Sequence, residues 1–228
     1  MTLWDEEYGR RGIPSSYLDQ PSEALEWAIA NWRLLTGTGM PRSAMDVGSG
    51  AGRNSAWLER AGVRAVGIDS SRAAIDAARA RHSGAGFLLR DLRDGLPGVD
   101  GEFDLALDIF VSKHLLEAGE RAALRRELAR VLAPAGRLLV SLAEPEDGFY
   151  AACPDFPGRE GARPRAVIDP DTGIGSVLFS LEELRAEMSG CFALEMAWTK
   201  AKPGPMHGGV FERRTLATMW RRADSPVR

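Results

Sequence analysis

The sequence predicts an α/β fold of the Rossmann-like, doubly wound type, with a mostly parallel sheet, an antiparallel last strand and helices on both faces. Short apolar runs alternate with helical stretches between residues 43 and 143, which is the pattern of βαβ units. A turn with three glycines follows the first run, and two more apolar runs near the C-terminus flank a connection rich in glycine and proline. These features predict, in turn, the parallel strands, a ligand-binding loop and a closing hairpin.

Each parallel strand is predicted from a short apolar run with polar or glycine residues at its ends. The runs are Ser43–Val47, Arg64–Asp69, Gly86–Arg90, Phe103–Phe110 and Arg137–Leu142. Helices are predicted between them, and the clearest spans Glu120–Leu132, where apolar residues recur every three or four positions. The other two begin near Asn54 and at Ser71.

Two flanking segments are predicted outside this alternation. A helix is expected before the first strand, capped by Asp19 and with Pro21 in its first turn. After the fifth strand, residues 144–176 contain ten glycine and proline residues in 33 positions. Because so long a connection is rare in a compact domain, we expect this segment to be a functional lid or a disordered loop.

Regular structure is expected to resume near the C-terminus. Ser180 and Glu183 match a capping box, which predicts the start of a short helix. Two apolar runs follow, Phe192–Lys202 and Val210–Trp220, and the glycines and prolines between them predict a hairpin connection.

The composition is that of an ordinary soluble globular chain. Its 228 residues are 44% apolar and 27% charged, and 29 basic against 32 acidic side chains give a formal charge of −3. No apolar run approaches the ~18 residues of a membrane span, and the first residues are acidic where a signal peptide is positive, so we expect a cytoplasmic protein without a membrane partner.

Cys153 and Cys191 give neither a disulfide framework nor a zinc pattern, and no metal is expected. The basic residues are scattered among acids, which argues against a nucleic-acid partner, and we expect a monomer or a homodimer.

The most informative segment is Ala44–Asn54. Its three glycines let the backbone turn tightly and approach a ligand, and the helix behind them points N–H groups into the same space. Dinucleotide-binding loops have the spacing G-x-G-x-x-G, but Arg53 stands where the last glycine would fall. Asp46, just before the first glycine, would repel a pyrophosphate and favours a ligand with an ammonium group.

Acidic residues also end the next two strands. Asp69 lies 19 residues after Gly50, where a carboxylate can accept hydrogen bonds from both hydroxyls of a ribose. Asp91, after the third strand, is either a contact to an adenine edge or only a cap or turn residue. S-adenosylmethionine has a ribose, an α-ammonium group and no phosphate, so it is the expected cofactor.

Five segments appear in a familiar order: DVGSGAGR at 46–53, GIDSS at 67–71, RDLRDGLP at 90–97, FDLALD at 103–108 and LARVLAPAGRLLVS at 128–141. Over residues 43–143 the sequence resembles class I S-adenosylmethionine-dependent methyltransferases. The resemblance implies methyl transfer to a small-molecule acceptor through a sulfur, selenium or tellurium, oxygen or nitrogen nucleophile. The residues expected to contact the cofactor are Asp46, Gly48, Ser49, Gly50, Arg53, Asn54, Asp69, Ser70, Asp91, Leu92, Asp108 and Tyr17.

The resemblance also implies how the chain is divided. Residues 1–228 are expected to form a single methyltransferase domain. Its parts are an N-terminal cap helix region at 1–40, a cofactor-binding half at 41–143, a substrate lid loop at 144–176, and a C-terminal helix and β-hairpin at 177–228.

Three stretches are similar to a narrower group. DVGSGAGRNSAWL at 46–58 resembles the loop of tellurite-resistance methyltransferases, and WDEEYGRRGIP at 4–14 is similar to the start of thiol and thiopurine methyltransferases. His207, followed by LATMWRR at 216–222, resembles the tellurite-resistance ending and implies a substrate role for this histidine. Two differences stand out: Gly208 replaces an expected arginine, and the segment 154–173 is longer than in these relatives.

Residues of the acceptor side are expected beyond the carboxyl ends of the strands, where doubly wound sheets bind ligands. The predicted catalytic residues are His207, His114 and Asp108, and His207 is the first choice for a base or an orienting group. The predicted substrate contacts are Tyr8, Lys113, Tyr150 and Cys153. Structural roles remain open for each of them, and a ready nucleophile such as a thiolate needs no base.

Other functions stay open on sequence alone. A Rossmann-type oxidoreductase is disfavoured by the glycine spacing and by Asp46. A nucleic-acid or protein methyltransferase would use the arginines between 213 and 222, yet DIFV at 108–111 lacks the proline-proline-aromatic sequence of amino-methylating nucleic-acid enzymes. A non-catalytic scaffold would bind the cofactor without turnover.

Overall fold

The computed structural model describes residues 3–10 and 18–223. In chain order its helices are α1 (Leu3–Arg10), α2 (Glu23–Thr36), α3 (Arg53–Arg60), α4 (Arg72–Arg81), α5 (Ala118–Val131) and α6 (Leu181–Met188). Its strands are β1 (Ser43–Val47), β2 (Arg64–Asp69), β3 (Gly86–Leu89), β4 (Phe103–Ile109), β5 (Leu132–Ala143), β6 (Arg165–Ile168), β7 (Gly175–Leu178), β8 (Phe192–Met206) and β9 (Gly209–Arg222). Within the described ranges, no helix has both the length and the apolar character that crossing a membrane requires.

The main sheet has seven strands in the order β3-β2-β1-β4-β5-β9-β8. Strands β1 to β5 pair in parallel, and β9 runs antiparallel to both β5 and β8. The chain leaves β1 in one direction toward β2 and β3, and later returns to the other side of β1 as β4. This arrangement confirms the predicted α/β doubly wound fold with an antiparallel last strand.

Helices cover both faces of the sheet. On one face, Leu25 and Trp32 of α2 and Leu58 of α3 pack against the inward side chains of β1, β4 and β5. On the other, Leu124 of α5 and Leu184 of α6 belong to a larger apolar cluster with the opposite side chains of the same strands. Burial of both faces explains why the parallel strands read as nearly continuous apolar runs.

The helix starts follow local side-chain chemistry. Ser71 caps α4, and Ser180 and Glu183 form the predicted capping box of α6. The predicted cap of α2 is wrong: Ser22 accepts the hydrogen bond from the Leu25 amide, and Asp19 instead pairs with a neighbouring arginine. The amide of Ser22 is itself held by Oδ1 of Asn54, in the first turn of α3.

The segment after β5 contains more regular structure than the sequence indicates. β6 and β7 pair antiparallel and form a small second sheet within it. Ala166, Val167, Val177 and Leu178 are buried in this sheet. The runs RAVI and GSVL have four residues each, so their strand character depends on this tertiary burial, which local sequence does not reveal.

The β8–β9 hairpin extends farther than predicted. Strand pairing continues to Met206 opposite Gly209, so only His207 and Gly208 form the turn. Both turn residues have positive φ, 44° and 77°, as in a type I′ hairpin turn. Pro203, which made the connection look irregular, is accommodated because β8 lies at the edge of the sheet.

Candidate active site

The candidate site lies where the chain order of the sheet reverses, at the carboxyl ends of β1 and β4. These strands are neighbours in register, with Val47 opposite Asp108. Open α/β sheets bind their ligands in the crevice at such a point. The glycine turn after β1 and the segment 110–114 after β4 therefore face each other across the site.

The glycine turn has a conformation that requires its glycines. Gly48, Gly50 and Gly52 have φ values of 60°, 56° and 85°, a region that favours glycine. A side chain at position 48 would also collide with the methyl groups of Val111. The turn thus presents backbone rather than side chains to a ligand.

Two observations test whether these residues fit an adenosyl cofactor. The hydroxyl of Ser49 is buried and lacks a hydrogen-bond partner in the described part of the chain, so a polar atom at the turn is left for a ligand. The turn also has no side chain of its own at position 50, where a Cβ would collide with the Tyr8 hydroxyl. These features fit S-adenosylmethionine, with the turn 48–52 and Asp69 as the residues that would hold it.

Asp69 ends β2 beside the turn. Its Oδ2 accepts a hydrogen bond from the Gly50 amide at 2.9 Å, and its Oδ1 accepts one from the Ser71 amide at 2.8 Å. Burial raises the pKa of this carboxyl group, while these two amides lower it. Ser70, also predicted as a cofactor contact, is half-buried next to it. Asp69 is therefore placed as expected, but part of its hydrogen-bonding capacity already shapes the turn.

Asp46, Arg53 and Asn54 form the frame of the turn. Oδ2 of Asp46 accepts a hydrogen bond from the Ser55 hydroxyl at 2.7 Å, and burial raises the pKa of Asp46 to about 6, with Arg53 acting in the opposite direction. Oδ1 of Asn54 accepts a hydrogen bond from the Ser22 amide at 2.8 Å and so joins the turn to the start of α2.

Asp91, Leu92 and Asp108 are less open to a ligand. Asp91 caps a single 3-10 turn at 92–94 by accepting from the Arg93 amide, which is the cap role left open by the sequence; Leu92 is half-buried in that turn. Oδ1 of Asp108 accepts from the Ser112 amide at 2.9 Å, and burial raises the Asp108 pKa. Asp108 also borders a small cavity on the side of α5 and α6.

Helix α1 covers the site from above the turn. Trp4 packs edge-on against His114 with ring centroids 4.8 Å apart. Asp5 accepts a hydrogen bond from the Ser71 hydroxyl at 2.9 Å, and the hydroxyl of Tyr8 lies against Gly50. Tyr8 is therefore at the cofactor turn, whereas Tyr17 lies outside the described residues.

The two histidines predicted for catalysis have different surroundings. Nδ1 of His114 lies 2.8 Å from the Gly175 carbonyl oxygen, to which it donates, and burial with the neighbouring Lys113 lowers the His114 pKa to about 3. A neutral His114 therefore ties the segment after β4 to β7. His207 is at the hairpin tip, with Nε2 2.8 Å from Oδ2 of Asp169.

The acceptor side contains charged residues that sequence reasoning missed. Asp147 is 1% exposed and accepts hydrogen bonds from Arg213 Nε and from the Arg214 amide. Arg213 is one of the arginines between 213 and 222 that a nucleic-acid enzyme would use, but its side chain is mostly buried and lies over the rings of Phe149 and Tyr150. The apolar pattern of β9 was the available signal that this arginine lies inside the fold.

Three predicted substrate residues lie in this same region. Tyr150 and Cys153 are buried, and burial raises the pKa of each. The Cys153 thiol donates to the Phe149 carbonyl oxygen at 3.5 Å. Lys113 is 1% exposed, and its Nζ lies 3.6 Å from the centre of the Tyr150 ring.

Asp169, Asp171 and His207 also bring one potential metal-ligand atom each to within 4.8 Å of one another. The Nε2 atom of His207 is already bonded to Asp169, and Asp171 is exposed. His207 and Asp169 therefore form a hydrogen-bonded pair.

The chain is similar in sequence to known methyltransferases. Residues 45–140 match the family model described as a methyltransferase domain. Methyltransferase GfsG of Streptomyces halstedii is 34% identical over 140 residues, which are 59% of this chain and 49% of that protein. The 18S rRNA (guanine-N(7))-methyltransferase of Mus musculus is 33% identical over 121 residues, 53% of this chain and 42% of that protein. The chain thus spans about half the length, or less, of these curated relatives.

Solved structures show the same fold. The Burkholderia thailandensis 1,6-didemethyltoxoflavin-N1-methyltransferase, solved with that compound and S-adenosylhomocysteine, aligns with a TM-score of 0.65 at 19% identity and covers 97% of this chain and 88% of its own. A TehB-like S-adenosylmethionine-dependent methyltransferase from Corynebacterium glutamicum aligns with a TM-score of 0.59 at 19% identity and covers 96% and 98%.

Residues 45–140 match a methyltransferase domain, and the fold is shared with solved S-adenosylmethionine-dependent methyltransferases, so the resemblance to this class stated from the sequence is confirmed. S-adenosylmethionine is the cofactor of this class. The TehB-like structure agrees with the tellurite-resistance comparison.

Proposed function

We propose that this protein transfers the methyl group of S-adenosylmethionine to a small-molecule nucleophile by in-line displacement. The observation that carries the proposal is the glycine turn with three positive φ values at the β1–β4 crevice, bordered by Asp46 and Asp69. Its match to methyltransferase domains and its lack of a dinucleotide glycine spacing support the same cofactor. The bound cofactor supplies an activated methyl group, so the protein has to orient the acceptor and exclude water.

The cofactor side is assigned to the residues around the turn. Gly48 and Gly50 allow close approach of the backbone, and the carboxylate of Asp69 receives the ribose hydroxyls. Tyr8 of α1 lies against Gly50 and would border the cofactor at the turn. Asp46 sets the charge of the turn and favours a cationic donor over a phosphate.

The acceptor side is assigned to the segment 144–178 and the β8–β9 hairpin. Both lie over the carboxyl ends of β4 and β5, and they enclose Lys113, Tyr150 and Cys153 almost completely. An enclosed site supports a small acceptor. His207, held by Asp169, orients the acceptor from the hairpin tip, and the segment 144–176 acts as its lid.

A ribosomal-RNA acceptor is the second candidate, and the Mus musculus relative is the observation that favours it. The charge distribution supports it less, because arginines such as Arg42, Arg64 and Arg130 already pair with carboxylates and the formal charge is −3. A gel shift at low salt with an 18S rRNA hairpin tests it. A saturable shift would favour RNA, and no shift would favour the small acceptor.

Calorimetric titration tests the cofactor. We expect saturable heat with S-adenosylhomocysteine and none with NAD, and the reverse result would make the protein an oxidoreductase of the Rossmann type. Turnover with radiolabelled S-adenosylmethionine and a panel of thiols, phenols, amines and metalloid oxyanions then tests transfer. Binding without a methylated product from any acceptor would indicate a non-catalytic scaffold.

A further inference from the structure

Lys113 is a buried amine without a counterion of its own. Its side chain is 1% exposed, and Nζ lacks a hydrogen-bond partner within the described ranges. Nζ lies instead over two aromatic faces, 3.6 Å from the centre of the Tyr150 ring and 5.5 Å from that of Phe110. A buried polar group without a partner is costly, and such groups are retained mainly where they serve a ligand or a reaction.

The charges around Lys113 explain why it has no counterion. Asp147, from the segment after β5, is already bonded to Arg213 of β9, and Asp169 is bonded to His207. These carboxylates act on Lys113 only over a distance, and Arg213 opposes them. The other titratable groups that face Lys113 are Tyr150, Cys153 and His114. The ammonium form of Lys113 is therefore left without a carboxylate partner of its own.

The backbone places Lys113 next to the cofactor turn. Val111, two residues earlier, packs on Gly48 of the turn. Phe110 has a φ of 61°, a strained value for an aromatic residue, and such strain costs about 1–3 kcal/mol and persists at functional sites. The strained residue turns the chain so that Val111 faces the cofactor turn while Lys113 faces Tyr150.

From this arrangement, and resting on the proposed function, we propose that Lys113 is a catalytic residue that accepts the proton of an acceptor hydroxyl. Burial and Arg213 lower the pKa of Lys113 to about 7, so a large share of the amine is uncharged near neutral pH. An uncharged amine can take a proton, and the ammonium it becomes then holds the resulting oxyanion.

Proton transfer to Lys113 and methyl transfer to the oxygen together conserve all atoms and electron pairs. The hydroxyl proton moves to the lone pair of Lys113 Nζ, and the oxygen keeps the electrons of the O–H bond. One oxygen electron pair forms the new C–O bond to the transferred methyl group, while the sulfur keeps the electrons of the broken S–C bond. After the methyl ether leaves, Nζ returns its proton to solvent.

The chemistry of the site indicates the acceptor class. A hydroxyl on an aromatic or conjugated carbon, a phenol or an enol, has a pKa close enough to that of Lys113 for useful proton transfer. An aromatic ring is also the kind of group that packs well beside Tyr150 and Phe110, the two rings next to the amine. Because Tyr150 covers Nζ and belongs to the segment 144–176, the acceptor enters when this segment moves.

A titration of the lysine side chains tests the first half of the proposal on the unaltered protein. The chain has only three lysines, and Lys200 and Lys202 are partly exposed and paired with Glu23. Nuclear magnetic resonance of lysine-labelled protein with S-adenosylhomocysteine bound therefore gives three resolvable signals, assigned by Lys113→Met. We expect the Lys113 signal to titrate near pH 7. A Lys113 midpoint above about 9 would overturn the proposal.

The second test uses 4-nitrophenol, which is yellow only as its anion. Bound to the S-adenosylhomocysteine complex, it is expected to be yellow at a pH where the free compound is mostly colourless, because the ammonium form of Lys113 stabilises the anion. In Lys113→Met the bound compound should stay colourless, whereas the control Lys200→Met should behave like the unaltered protein. No binding of the phenol, or the same colour in Lys113→Met, contradicts the proposal.

Turnover separates catalysis from structure. Lys113→Met is expected to slow methylation of the phenols in the panel by about 100-fold or more, with a smaller loss for more acidic phenols, and to leave S-adenosylhomocysteine affinity unchanged. Equal losses for all phenols would indicate a structural role, as would lost cofactor affinity. Methylation of thiols or amines but not phenols would overturn only the Lys113 proposal. If the unaltered protein does not bind S-adenosylhomocysteine, the proposed function itself fails, independently of how Lys113 titrates.

Discussion

Nε2 of His207 and Oδ2 of Asp169 lie 2.8 Å apart and join the tip of the β8–β9 hairpin to the residue after β6. The two elements come from separate sheets, so this pair fixes one wall of the enclosed acceptor side. His207 has a φ of 44°, which a histidine adopts only at a cost of about 1–3 kcal/mol. Asparagine or glycine is preferred in such a turn, so the imidazole at this position supports the proposed role of His207 in orienting the acceptor.

We expect His207→Asn to lower turnover by about 100-fold through misplacement of the acceptor, without loss of S-adenosylhomocysteine affinity. Asparagine tolerates positive φ, so the turn is kept and only the imidazole is removed. Asp169→Asn should give a smaller loss in the same direction, because the imidazole remains but is held less firmly. Steady-state kinetics and calorimetry check both variants. Lost cofactor affinity in either variant, or unchanged turnover in His207→Asn, contradicts the assignment.

Asp69→Asn is expected to weaken S-adenosylhomocysteine binding by about 10- to 100-fold, because charge-assisted hydrogen bonds to the ribose become neutral ones. Asparagine retains one oxygen for the Gly50 amide but cannot also accept from the Ser71 amide, so the stability of the variant has to be measured beside its affinity. Asp76→Asn, on the exposed side of α4, is the matched control and should bind normally. Calorimetry measures the affinities, and thermal unfolding shows whether the fold is intact. An Asp69→Asn affinity equal to that of the control would remove Asp69 from the cofactor site.

The parallel sheet and the glycine turn were predictable because their signals are local. Strand runs such as Arg64–Asp69 coincide with the observed strands, and the glycines that predicted a ligand loop do have positive φ. Nothing in a short window predicts that Asp147 bonds Arg213, because these residues are 66 positions apart in the chain. The His207–Asp169 pair, 38 positions apart, is hidden for the same reason.

The acceptor side was therefore predicted only as a set of separate polar residues. Lys113 and Tyr150 were each singled out by their position after a strand, but their contact depends on how the segment 144–176 folds back. The strands β6 and β7 that fold it are too short to be recognised before their burial is known. This is consistent with folds in which the sheet is encoded by periodicity and the specificity by variable loops.

Asp147→Asn is expected to destabilise the fold by about 3–5 kcal/mol, because it leaves the mostly buried Arg213 without its carboxylate. Asp155→Asn is the matched control, since Asp155 pairs with Arg165 but both side chains are about one-third exposed. Urea unfolding at neutral pH measures the difference. A loss for Asp147→Asn no larger than that for Asp155→Asn would show that the Arg213 pair contributes little.

Burial of Asp46 makes the free energy of unfolding depend on pH. Its pKa is raised from 3.8 to about 6 in the folded chain, so the fold favours the protonated form. The stability from this group is complete below about pH 4 and is lost as the pH rises through about 6, leaving an ionised, buried carboxylate at pH 7.

Asp46→Asn removes that ionisation, keeps an oxygen for the Ser55 hydroxyl, and should raise the free energy of unfolding at pH 7 by up to about 3 kcal/mol. The gain should vanish near pH 4, and Ser55→Ala, which removes the hydrogen bond that favours the ionised form, should instead destabilise the protein at pH 7. Urea unfolding of the three proteins between pH 4 and pH 8 checks these signs, and a gain for Asp46→Asn that does not vary with pH would show that Asp46 titrates normally.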